Sequence, residues 1–88
     1  MVGARTQGKL DEAAPYYEQS LAIRKKVYGE EHPKVAGGLF CYGVLLKELG
    51  KVEDAKQCLE QALTIYKAVL GENHANVANV RAWLRACG

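Results

Sequence analysis

The chain has 88 residues, 49% hydrophobic and 25% charged, with 12 basic against 10 acidic side chains. A chain of this length and composition folds as one compact unit rather than a disordered polymer, and so even a charge balance lacks the concentrated basic face of a nucleic-acid binder. No run reaches the roughly 18 apolar residues that span a bilayer, MVGARTQGKL lacks the apolar core of a secretion signal, and Cys41, Cys58 and Cys87 suit neither a disulfide framework nor a zinc site. These features predict a soluble, cytoplasmic protein without cofactor, metal, membrane or nucleic-acid partner.

The first predicted helix covers about residues 10–28, with Leu10, Ala13, Tyr17, Leu21 and Tyr28 on one face. Pro15 is placed in its first turns, where a missing N–H costs least, so the helix is expected to start near Asp11. Gly8 and Lys9 before it read as turn residues; no GxxxxG pattern precedes them, so they do not form a phosphate loop. Arg24-Lys25-Lys26 ends the helix as a solvated cluster that suits the negative pole of its dipole.

The second helix, about 34–49, is apolar on several sides: Leu39, Tyr42, Gly43, Leu46 and Leu49 form one face, Phe40 and Val44 another. Gly37 and Gly38 lower its helicity by about 1 kcal/mol each relative to alanine, which close backbone contact would explain. The third helix, about 51–70, repeats the pattern of the first through Val52, Ala55, Leu59, Ala62, Leu63, Tyr66, Val69 and Leu70. Glu53 and Asp54 favour its N-terminus, and Gly71 stops it. The fourth, about 75–87, runs through Val77, Val80, Leu84 and Cys87, with Asn76 as the expected N-cap. No stretch alternates with period two for long enough to form a strand, so the fold class is all-α.

The chain repeats itself. A shift of 42 places aligns residues 8–46 with 50–88, and 14 of the 39 pairs are identical. They include Glu18/Glu60, Leu21/Leu63, Ile23/Ile65, Gly29/Gly71, His32/His74, Val35/Val77 and Ala36/Ala78. The copies VYGEEHPKVA at 27–36 and VLGENHANVA at 69–78 stand out. A fixed period with two helices per unit signals a stacked array.

These residues resemble a tetratricopeptide repeat, and the 42-residue period with its GExHP loop is similar to the kinesin light chain variety rather than the ordinary 34-residue unit. The large apolar residues of the first helix of a unit match Leu39, Tyr42 and Leu46, and the small crossing residue matches Gly43. The small–large–small set of the second helix matches Ala55, Leu59 and Ala62, and in the preceding unit Ala13, Tyr17 and Ser20. The resemblance implies an α-α superhelix in one domain over 1–88. Residues 8–33 are then the second helix and loop of a partial unit, 34–74 a complete unit, and 75–88 the first helix of a terminal partial unit. The asparagine pair that such units carry for clamping a peptide backbone is replaced by Phe40 and Cys41, and by Ala82 and Trp83. The terminal helix has Arg85 at the crossing position, and Ala75 follows His74 where Pro33 follows His32.

The histidines recur 42 residues apart, each with one adjacent acid and no cysteine at ligand spacing, so Gly29, His32, Pro33, Gly71 and His74 are read as structural loop residues. Trp83 either packs on the preceding helix or anchors a partner; Phe40 fits either groove or core. The implied function is a protein-interaction scaffold that takes a peptide or partner helix on its concave surface. Phe40, Val44, Lys47 and Glu48 would line that surface, extended by Asn79, Ala82, Trp83 and Ala86. The alternative is a structural piece of a longer array, or an end whose exposed apolar faces drive homo-oligomer formation. No paired-acid, Ser/His/Asp or Cys/His arrangement supports an enzyme.

Overall fold

Helical periodicity in every segment has one structural solution, antiparallel helices stacked through their apolar stripes. The computed structural model describes residues 2–87, with side chains from residue 12 onward, and contains α1 (Val2–Tyr28), α2 (Pro33–Glu48), α3 (Val52–Leu70) and α4 (Ala75–Cys87). Neighbours in sequence are neighbours in space: α1 packs on α2, α2 on α3 and α3 on α4, and only a narrow contact joins α2 to α4. The result is elongated, 44 × 29 × 19 Å. None of the described helices is long and apolar enough to cross a membrane.

The core is the shared seam of α2 and α3. Val35, Ala36, Leu39, Ala55, Leu59, Ala62 and Val77 are almost fully buried. Gly43 sets the closest approach. A Cβ there would stand 2.9 Å from Leu59 Cγ and 3.3 Å from the Ala55 carbonyl oxygen. The low helix propensity of glycine is accepted in α2 because a side chain would force the two helices apart.

Each turn between helices uses the same stop. Gly29, Gly50 and Gly71 have φ of 90°, 86° and 91°, a region that costs an L-residue energy but not glycine. After α2 the Gly50 and Lys51 N–H groups bond to the carbonyls of Lys47 and Leu46, which closes the helix end in a Schellman arrangement.

Two expectations are corrected. The first helix does not start near Asp11: α1 begins at Val2 and carries Pro15 in its interior, and Gly8 and Lys9 are helical rather than a turn. A helix satisfies its own backbone groups, and the α1 backbone stays helical through this segment. Asn76 is not the N-cap of α4. His74 takes that place, its carbonyl accepting from Val77 and Ala78 and its ring from the Asn76 N–H.

Candidate interaction face

Because α2 and α4 both pack on α3 and touch each other along a narrow contact, they lie side by side in the stack. Of the α2 residues expected to line the concave surface, Phe40, Val44 and Lys47 are half-buried and Glu48 is exposed. Of the α4 residues expected to extend it, Asn79, Ala82 and Ala86 are exposed and Trp83 is half-buried. Three of these meet across the helix gap. The Phe40 and Trp83 rings lie edge to face, with centroids 6.4 Å apart and planes at 77°. The Lys47 ammonium stands 5.7 Å from the Trp83 ring centre. Both geometries are attractive for a ring that is negative on its face and positive at its edge.

Both aromatic rings also pack against the core cluster. Each is therefore part core and part surface, and its orientation is fixed from below. Beside them, Ala82, Trp83 and Ala86 line a shallow apolar depression of about 210 Å³. That is below the size of ordinary small-molecule sites but suits a single side chain. Val44, Glu48 and Asn79 lie on the same helices and take no part in the aromatic cluster.

The loop residues form two N-terminal caps. His32 Nδ1 accepts from the Lys34 N–H at 3.0 Å and His74 Nδ1 from the Asn76 N–H at 3.1 Å, so each ring satisfies a donor that the helix leaves open. Pro33 occupies the first turn of α2, where it forfeits no hydrogen bond. His32 also stacks on Tyr28, with centroids 4.7 Å apart. The counterpart of Tyr28 in the second copy is Leu70, so His74 has no such ring beneath it. Glu72 is bridged to Arg81 at 3.3 Å and lies 4.0 Å from Lys67; these exposed pairs add little stability.

Two cross-helix hydrogen bonds were not readable from spacing. The Tyr42 hydroxyl donates to Glu18 Oε1 at 2.9 Å, and Arg24 Nη1 donates to the Lys34 carbonyl at 3.0 Å. Partial burial, and then the carboxylate it bonds to, push the Tyr42 hydroxyl up to about 12. Burial also raises the Cys58 thiol, and the neighbouring Asp54 adds to the shift. No group of three or more His, Cys, Asp or Glu that could hold a metal occurs among the described residues.

A stack of antiparallel helices, each packed on the next, with the small Gly43 where α2 crosses α3, is a helical-repeat scaffold. The tetratricopeptide repeat model matches residues 4–34 and 43–76, most of the chain, and the protein belongs to that family, whose repeats generally mediate protein–protein interaction. Among 26 matching solved chains is BtubC (BKLC) from P. vanneervenii, at TM-score 0.83 and 34% identity. The match covers 91% of this chain and 32% of that one, so the present chain spans about a third of that protein's length. A search of curated proteins returned no match.

Proposed function

We propose that the protein is a non-enzymatic, cytoplasmic interaction module of the kinesin light chain-like variety that binds a peptide or partner helix on the α2–α4 face. The convergence of Phe40, Trp83 and Lys47 carries this reading. It offers fixed aromatic edges and one cation beside a depression of side-chain size, and aromatic anchors of this kind concentrate binding energy. With Phe40 and Cys41, and Ala82 and Trp83, where backbone-clamping units carry asparagines, recognition rests on side-chain anchoring rather than on a polar grip on the ligand backbone. The subtype is supported by the 42-residue period and the repeated GExH loop.

The test begins with peptides selected from a displayed library against the purified domain. Bound peptide should perturb the amide signals of α2 and α4 and the Trp83 fluorescence. Lys47→Glu and Trp83→Ala should each weaken binding, the latter by about 1–3 kcal/mol. Peptides that bind both variants as tightly as wild type would sink the proposal.

A further inference from the structure

Five of the six large apolar side chains left exposed among the described residues lie on α1: Tyr16, Tyr17, Ile23, Val27 and Tyr28. Steps of three and four place Ala13, Tyr16, Ser20, Ile23 and Val27 on one stripe of that helix. Tyr16 and Ile23 are 73% and 61% exposed. A contiguous apolar surface of this kind marks a contact site, and the repeat identifies its form. Ala13, Tyr17 and Ser20 are the counterparts of Ala55, Leu59 and Ala62, which are each 0% exposed. The face has the pattern of one that a helix covers.

The described elements of this chain do not supply that helix. α1 continues helically back to Val2 and does not fold over its own face. Nor can α4 of another copy close on α1 as α2 closes on α3. It carries Arg81 and Arg85 where α2 carries Leu39 and Gly43, and the Gly43 position has no room even for a Cβ. The same face of a second copy does fit, because the stripe is nearly palindromic about Ser20. In an antiparallel pair Tyr16 meets the second copy's Ile23, twice, and Ala13 meets its Val27. The small Ser20 on the twofold axis permits close approach. Charge selects the direction. Glu12 flanks the N-terminal half of the stripe, and Arg24 and Lys26 flank the C-terminal half, whereas Glu18 and Lys25 lie on the opposite side of α1, where Glu18 bonds to Tyr42. Antiparallel pairing sets opposite charges side by side, whereas parallel pairing sets like against like.

We infer that α1 is an isologous dimer interface, joining two copies antiparallel about Ser20 and leaving the α2–α4 face free. Sedimentation equilibrium on the 88-residue chain and on Tyr16→Lys and Ile23→Glu tests it. The wild type should dimerise reversibly, and each variant alone should do so at least about tenfold more weakly. Far-UV circular dichroism should be unchanged, because both side chains are mostly exposed. An equimolar mixture of the two variants should recover the dimer. The introduced opposite charges then face each other on one side of the axis, and an intact Tyr16–Ile23 contact remains on the other. A wild-type chain that stays monomeric at high concentration overturns the inference and leaves the face to another occupant. A mixture that associates no better than the single variants overturns the antiparallel register.

Discussion

At Gly43 a single missing Cβ fixes how closely α2 and α3 approach, since the nearest atoms it would meet include the backbone oxygen of Ala55, which cannot swing aside. Gly43→Ala should therefore destabilise the protein by about 1–3 kcal/mol despite raising helix propensity, as overpacking outweighs the gain; urea denaturation measures it. The Tyr42–Glu18 bond makes a second residue-scale prediction. The folded protein holds the Tyr42 proton more tightly than the unfolded chain does. Its contribution is therefore complete below the unfolded value of about 10 and lost as pH rises through about 12. Thermal melts should show wild type losing stability more steeply than Tyr42→Phe across that window. Gly43 was legible in the sequence as a crossing residue. The Tyr42 bond was not, because its partner lies 24 positions away on another helix.

Among the elements, α2 and α4 begin in the same way but not equally well. Both are capped by a histidine ring, yet α2 also has Pro33 in its first turn and the Tyr28 ring beneath His32. His32→Ala should cost about 1 kcal/mol or more, the usual size of a lost cap, and His74→Ala less, because only the capping bond is removed there; chemical denaturation of the two variants compares them. Helix existence and type followed from period and stop residues. The start of α1 did not. Pro15 suggests a boundary by local rules, but the backbone on both sides of it is helical and α1 runs through it. The histidine caps also displaced Asn76, whose propensity for that role is real but was pre-empted by its neighbour's ring.

For the whole molecule, the contacts run from each helix to the next, so stability is distributed along a line rather than around one centre. α2 and α3 share the widest seam and are flanked on both sides, whereas α1 touches α2 alone among the described elements. Native-state hydrogen exchange should find the slowest amides in α2 and α3 and markedly faster exchange in α1. Exchange in the N-terminal half of α1 as slow as in α3, at low concentration, would contradict this picture. At concentrations where copies pair, α1 should gain protection selectively, because binding stabilises the element that it covers.

By itself the sequence determined the fold class and the repeat, since helical periodicity, the glycine stops and the 42-residue identity are all properties of spacing along one chain. It also marked Phe40, Lys47 and Trp83 as belonging to one face. Only the tertiary structure decided that these three touch, that Tyr42 reaches Glu18, and that α1 leaves its apolar stripe open. Those outcomes depend on which helices lie beside each other and which have no neighbour, and side-chain contact between distant segments is fixed by packing, not by spacing.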